Sequence, residues 1–188
     1  MYDDRQCVAR VLQGDKEAYG YIIEKYMNRI YAILFRMLYN KQDAQDLTQE
    51  CFIRAYQCLD KYNETGSFAS WLYRISVNLC LDELRKRKHI TLLNVDDYIL
   101  KDTLTPEDQV IRTEEILHIN QGIDRLPNKY KIILVLRYSS ELSYEEISEV
   151  LHIPVSTTRI RLHRAKKKLR AILESNGIGG KVNEVHTY

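Results

Sequence analysis

The fold is read outward from one stretch: Leu142-Ser143-Tyr144-Glu145-Glu146-Ile147-Ser148-Glu149-Val150-Leu151, then His152-Ile153-Pro154, then Val155-Ser156-Thr157-Thr158-Arg159-Ile160-Arg161-Leu162-His163-Arg164-Ala165-Lys166-Lys167-Lys168-Leu169-Arg170-Ala171. Ser143 with Glu146 three residues on is a capping-box pattern, which starts a helix by satisfying its free N–H groups. Ile147, Val150 and Leu151 give that helix one apolar face, and His152-Ile153-Pro154 ends it. Ser156 or Thr157 is expected to cap the next helix, with Leu162, Ala165, Leu169 and Ile172 inward and Arg159, His163, Arg164 and Lys167 outward. A short helix, a tight turn and a basic second helix form a helix-turn-helix, whose second helix fits the major groove of DNA. Long basic side chains there reach phosphates and the acceptors of guanine.

The charge distribution supports a polyanionic partner. Positions 159–170 hold seven cations in twelve residues, Arg159, Arg161, Arg164, Lys166, Lys167, Lys168 and Arg170, with no acid among them. An ordinary solvated helix face mixes both signs. The net charge of +2 conceals this, because residues 1–88 balance at +2, residues 89–125 at −5 and residues 126–188 at +5.

Elsewhere the 188 residues carry only three prolines and seven glycines, and the apolar residues recur at helical spacing, so the expected fold class is all-α. With 45% apolar and 29% charged residues the chain is globular, as one domain or two small ones. Asp15 is placed to cap a helix with the stripe Ala18, Ile22, Tyr26, Ile30, Ile33 and Met37. A second helix runs from about Gln42 to Leu59, with Ala44, Leu47, Cys51, Ala55 and Cys58 inward. After the polar loop 61–66, Ser67 starts a long helix with Phe68, Leu72, Ile75 and Leu79 inward, ending in Arg85-Lys86-Arg87-Lys88. Residues 89–105 lose the periodicity and turn acidic but stay too apolar for a plain linker. Thr105-Pro106-Glu107-Asp108 has the composition of a helix start, and that helix ends near Leu126-Pro127. Another helix is expected over about Asn128 to Tyr138, and the tail from Ser175 reads as frayed.

Four cysteines without a C-x-x-C pair, and histidines without H-x-x-x-H spacing, make neither a disulfide framework nor a metal site. No metal and no cofactor is expected. No stretch approaches the ~20 apolar residues of a spanning helix, and the acidic Met1-Tyr2-Asp3-Asp4-Arg5 lacks a signal-peptide pattern. The protein is therefore expected in the cytoplasm and not as a membrane protein.

Two further patterns bear on function. Asp46, Gln49, Glu50 and Ile53 fall at i, i+3, i+4 and i+7, one stripe of polar groups with an exposed apolar residue, and Asp43 lies one turn earlier. This stripe reads either as a solvated acidic face or as a docking surface for a basic helical partner. A carboxylate metal cluster would need Glu-x-x-His pairs that are absent. Phe68-Ala69-Ser70-Trp71-Leu72-Tyr73-Arg74-Ile75 places aromatics and a cation on one helix, near Asn78 and a basic run. Fourteen tyrosines against three phenylalanines suit surfaces that meet partners or stacked bases. Tyr73, Arg74 and Asn78 are expected to face unpaired bases.

Asp43-Ala44-Gln45-Asp46-Leu47-Thr48-Gln49-Glu50-Cys51-Phe52-Ile53-Arg54-Ala55 resembles region 2.2 of the group IV, or extracytoplasmic function (ECF), bacterial sigma factors of the sigma-70 family. Phe68 to Ile75, with Asn78 and Asp82, resembles regions 2.3–2.4, and Leu126-Pro127 through Leu169-Arg170 resembles region 4. The match spans residues 10–172 in order and is most similar to the sigma-W type. The resemblance implies region 2 over 1–88, a linker over 89–112 through the polymerase's RNA exit channel, region 4 over 113–174 and a flexible tail over 175–188. It implies a sigma factor that binds core RNA polymerase through the β′ clamp and β flap, directs it to promoter DNA of an envelope or extracytoplasmic stress regulon, and is held inactive by a membrane-anchored anti-sigma factor.

By position, Asp43, Asp46, Gln49, Glu50 and Ile53 would meet polymerase. Lys61, Tyr62, Asn63, Trp71, Tyr73, Arg74, Asn78, Arg85 and Lys86 would meet the minus-10 element, with the loop 61–67 capturing a flipped base. Ser156, Thr157, Thr158, Arg159, Ile160, Arg161, His163, Arg164 and Lys167 would meet the minus-35 element. Three of these depart from the family pattern: Ser156 stands where glycine is common, Thr158 where valine is usual, and Ile160 replaces a small polar base reader, favouring a thymine methyl. A plain helix-turn-helix regulator would need neither the Asp46/Gln49/Glu50 stripe nor the Trp71 helix. An enzyme would need a paired carboxylate–histidine or phosphate-loop site, which the sequence lacks.

Overall fold

The computed structural model of the chain describes residues 3–63, 66–93 and 114–175, and every regular element among them is helical. In order these are α1 (Asp4–Leu12), α2 (Lys16–Leu38), α3 (Lys41–Gln57), a 3-10 turn (Leu59–Lys61), α4 (Phe68–Leu93), α5 (Glu114–Asp124), α6 (Asn128–Leu134) widening into a π-helical turn (Val135–Ser139), α7 (Tyr144–Leu151) and α8 (Val155–Ser175).

Local chemistry fixes four of the starts. Asp15 accepts from the N–H groups of Glu17 and Ala18 at 3.1 and 3.3 Å, opening α2. Asn40 does the same for Asp43 at 3.0 Å, and Ser67 for Ser70 at 3.0 Å. Each such cap contributes about 1 kcal/mol. The expected capping box is present: Ser143 Oγ accepts from Glu146 N at 3.1 Å, and Glu146 Oε2 accepts from Ser143 N at 2.7 Å.

α1 to α4 form one lobe. The expected α2 stripe is its centre, with Ala18, Ile30 and Ile33 fully buried and Ile22, Tyr26 and Met37 nearly so. It packs against Ala44, Cys51 and Ala55 of α3 and Phe68, Leu72 and Val77 of α4. Helix α1 completes the lobe through Cys7, Val8 and Val11 and is pinned by Asp4, which accepts from Lys25 at 2.6 Å and from the Tyr26 hydroxyl at 2.7 Å. α5 to α8 form the second lobe around Ile133, Leu136, Ile147, Leu162 and Ala165.

The lobes touch. α7 lies along α4, and the π-helical turn packs on α2. Tyr39, which ends α2, takes a left-handed backbone (φ 50°). That conformation costs a non-glycine residue about 1–2 kcal/mol, and it presents the ring to Lys131 of the other lobe, whose ammonium stands 4.5 Å from the ring centre.

Two boundaries differ from expectation. α8 starts at Val155, directly after Pro154, so Ser156 and Thr157 lie inside its first turn instead of capping it. α4 continues to Leu93, five residues past the basic run. The expected helix start at Thr105-Pro106, most of the linker 89–112 and the tail beyond Ser175 lie outside the described residues.

Candidate nucleic-acid and partner interfaces

Three surfaces gather the expected residues. On α3, the spacing i, i+3, i+4, i+7 places Asp46, Gln49, Glu50 and Ile53 on one outward face. Asp46 accepts from Gln42 at 3.0 Å, and Glu50 pairs with Arg54 one turn on. The surface ion pair of Glu50 adds only about 0.3–0.5 kcal/mol, and Asp46 is held by a neutral amide alone, so both carboxylates are open to exchange for a partner's cations. Ile53 is 52% exposed and Tyr56, one turn along, 43%. Burying the exposed half of this isoleucine against a partner yields about 1 kcal/mol. Asp43 behaves differently: it pairs with Arg87 of α4 at 2.6 Å, bracing two helices of the lobe.

The second surface is a pocket of about 200 Å³ where α4 begins. Tyr62, Asn63, Trp71 and Arg74 line it together with Gly66, Ser67 and Ser70. The Tyr62, Phe68 and Trp71 rings pack mutually with centres 5.3–5.6 Å apart, Phe68 buried beneath and Trp71 partly open. The Tyr62 hydroxyl donates to Gly66 O at 2.9 Å and so closes the loop on itself. An aromatic wall beside hydroxyls and a guanidinium suits an unstacked base and its phosphate. Lys61 is exposed on the adjacent 3-10 turn. Asn78 is exposed one turn past Arg74, and Arg85 and Lys86 lie exposed about two turns farther on, with Arg85 paired to Asp82 at 2.6 Å.

Tyr73 corrects the sequence reading. It is 1% exposed, its ring meets Tyr26 edge-on at 6.1 Å, and its hydroxyl is hydrogen-bonded with Arg29. Burial pushes that hydroxyl's pKa up while Arg29 pulls it down. Tyr73 is a core residue, because a helix that turns Trp71 and Arg74 outward turns position 73 inward.

The third surface is α8. Ser156, Arg159, Ile160, His163, Arg164 and Lys167 are exposed, Ile160 at 53%, whereas Thr157 and Arg161 are half-buried. Thr158 is fully buried, with its hydroxyl turned back to Pro154 O at 3.3 Å, and is not a DNA-facing residue. Arg159 packs over Tyr144 at 5.6 Å, and Lys166 over Tyr138 at 5.4 Å. A shallow pocket of about 160 Å³ is lined by Lys129, Tyr130, Thr157, Ile160, Arg161 and Arg164. Lys129 extends the cationic face onto α6, which no local pattern announced.

Burial pushes the thiols of Cys51 and Cys80 up to about 12, and all four cysteines are unpaired. Among the described residues no cluster of three or more histidine, cysteine or acidic side chains is arranged to hold a metal, and no helix is long and apolar enough to cross a membrane.

Residues 22–90 match the model of Sigma-70 region 2, and residues 118–169 that of Sigma-70 region 4. The chain is 39% identical over 173 residues to the ECF RNA polymerase sigma factor SigW of Bacillus subtilis, covering 87% of this chain and 92% of that one. It is 35% identical to the RNA polymerase sigma-H factor of Pseudomonas aeruginosa, over 91% and 94% of the two chains. Among solved structures it shares its fold with CnrH, determined with the cytosolic domain of CnrY (TM-score 0.70, 21% identity, 92% of this chain and 98% of that one). It likewise resembles RpoE of Bartonella quintana, determined with the anti-sigma factor NepR (TM-score 0.69, 18% identity, 83% and 96%).

Proposed function

The chain belongs to the extracytoplasmic-function group of the sigma-70 family of RNA polymerase sigma factors, and from that premise we propose a division of labour among its three surfaces. It is a transcription initiation factor, not an enzyme, and it acts with core RNA polymerase at promoter DNA.

The α3 stripe, Asp46, Gln49, Glu50 and Ile53, is the polymerase-docking face, with the basic coiled coil of the β′ clamp as its counterpart. The pocket of Tyr62, Asn63, Trp71 and Arg74 receives an unpaired minus-10 base. Extruding a base costs a few kcal/mol of stacking and pairing, and an aromatic pocket offsets that cost. Asn78, Lys61, Arg85 and Lys86 follow the strand's backbone from there. Arg159, Ile160, His163, Arg164 and Lys167 lie in the minus-35 major groove, with Lys129 added on the phosphates. The chain works in the cytoplasm, on an envelope or extracytoplasmic stress regulon. It is held inactive by a membrane-anchored anti-sigma factor that covers the polymerase face, for which the apolar Ile53 and Tyr56 provide the anchor.

One observation carries this reading above that of a plain helix-turn-helix regulator: an isoleucine 52% exposed beside two carboxylates on one helix face. The test is affinity for purified bacterial core polymerase. Ile53→Lys should weaken it about fivefold or more, since about 1 kcal/mol of apolar burial is lost and a cation is set against a basic partner. Wild-type chain that fails to bind core polymerase, or Ile53→Lys that binds as tightly, would remove the docking assignment.

A further inference from the structure

Helix α8 divides by residue spacing into an edge and two flanks. At about 100° per residue, Ser156, Ile160, His163, Arg164 and Lys167 share an exposed edge opposite the buried Thr158, Leu162 and Ala165. Arg159, Lys166 and Arg170 fall on one flank, Arg161 and Lys168 on the other. Lys166 and Lys168 have no part in the edge, yet both are exposed. The major groove is about 12 Å wide, and a helix with its side chains is about 10–12 Å across. When the edge faces the bases, the flanks therefore face the phosphates of the two strands.

Both flanks are built on tyrosines. All three tyrosines among the described residues of the second lobe have a flank cation over the ring. Arg159 stands 5.6 Å from the centre of Tyr144, and Lys166 stands 5.4 Å from Tyr138. Lys168 stands 5.8 Å from Tyr130, which also carries Lys129 at 5.2 Å. A ring attracts a cation through its quadrupole and has no net charge. It therefore fixes the cation's place and leaves the positive charge available to a phosphate, whereas a carboxylate would cancel it. Arg170, at the end of the basic run, is held instead by Glu174 at 3.4 Å. Core packing does not account for Tyr138, which is 52% exposed at the end of the π-helical turn. A long side chain already held in place loses less freedom when it meets DNA.

We propose that Lys166 and Lys168 are further DNA-binding residues, gripping phosphates on the two walls of the groove. Tyr138, Tyr130 and Tyr144 are positioning residues that hold Lys166, Lys168 and Arg159 in place for that grip. The proposal rests on the reading of α8 as the major-groove helix. It gives the tyrosines of the second lobe a role other than stacking on bases, since their rings face cations.

The test uses the full chain and a fluorescein-labelled duplex of mixed sequence, because phosphate contacts carry no sequence information. Affinity is measured at several salt concentrations. Lys166→Ala and Lys168→Ala should each lower the salt slope by about 0.9, the share of one phosphate contact. Tyr138 is the support to change, since its exposure spares the core. Tyr138→Leu should weaken binding about twofold to fivefold, the effect of ordering one long side chain only on binding. Tyr138→Phe keeps the ring and should match wild type. In the Lys166→Ala background Tyr138→Leu should cost nothing further, which a general structural role would not produce. Tyr138→Leu that binds as tightly as wild type, or loses as much without Lys166, would overturn the positioning role. An unchanged salt slope would overturn the contact assigned to that lysine. Arg164→Ala/Lys167→Ala reports on α8 itself: if it binds the duplex as wild type does, or wild type does not bind, the reading of α8 falls and this inference with it.

Discussion

The ammonium of Lys131 stands 4.5 Å from the ring centre of Tyr39 and 2.6 Å from Asp124, tying the second lobe to the end of α2 in the first. Its side chain is only 7% exposed, so its cation is held by a π-face on one side and a carboxylate on the other. Partial burial raises the Asp124 carboxyl above its ordinary 3.8, and Lys131 opposes that rise. Lys131→Ala should lower stability by about 1–2 kcal/mol through the lost cation–π contact. The sign of the pH dependence follows from linkage. Without Lys131 the folded-state value of Asp124 climbs further above its unfolded value, so the variant's deficit is smallest where Asp124 is protonated and grows as pH rises through its titration. Urea midpoints at acid and neutral pH measure this, and a pH-independent deficit would contradict it.

Under the proposed function, Trp71 stacks on a base that has left the duplex. Trp71→Ala should cost about 1–3 kcal/mol of single-strand contact. In the polymerase-bound promoter complex this should appear as weaker permanganate reactivity of minus-10 thymines, with polymerase affinity unchanged. Unaltered reactivity would take Trp71 out of melting.

Under the proposed function, two cations on α8 divide base reading from phosphate holding. Arg164→Ala should cost about 1–3 kcal/mol at the minus-35 element and relax preference at one base pair. Lys167→Ala should weaken all sequences alike and lower the salt slope of holoenzyme binding by about one. Binding curves at several salt concentrations on a panel of minus-35 variants distinguish the two patterns.

The thiols are a test of the first lobe's packing. Cys51 and Cys80 are fully buried and held near 12, and Cys7 is also buried and raised. A thiolate-selective alkylating reagent at neutral pH should therefore label the partly exposed Cys58 first, and the other three only on unfolding. Intact mass against time gives the order directly.

What was legible in the sequence was local. The Ser143/Glu146 box, the Asp15 cap and the α2 stripe from Ala18 to Met37 depend on residues three or four apart, and each appears as the spacing dictates. Helix α1 carries a local signal too, Cys7, Val8 and Val11 at helical spacing, but only three residues long, and the long-range bonds of Asp4 to Lys25 and Tyr26 pin it to the lobe. Pro154 defeated the α8 boundary, since two hydroxyl residues after it imitate caps while the helix has already begun at Val155. Tyr73 was misread because composition favoured exposed tyrosines, whereas the turn of α4 decides which side each faces. Glu149 and His152 also line the Trp71 pocket and carry no local signal, because they reach it only through the packing of α7 on α4.

The whole proposed function depends on polymerase docking at the α3 face, and run-off transcription reads that docking out. Purified core polymerase would be given total genomic DNA with wild-type chain or Asp46→Ala/Glu50→Ala, and transcript 5′ ends mapped. Discrete starts that appear with wild type and vanish with the double variant are the predicted result, and their upstream sequences would define the promoter. No stimulation by wild type, with the chain still protecting duplex DNA alone, would contradict the account.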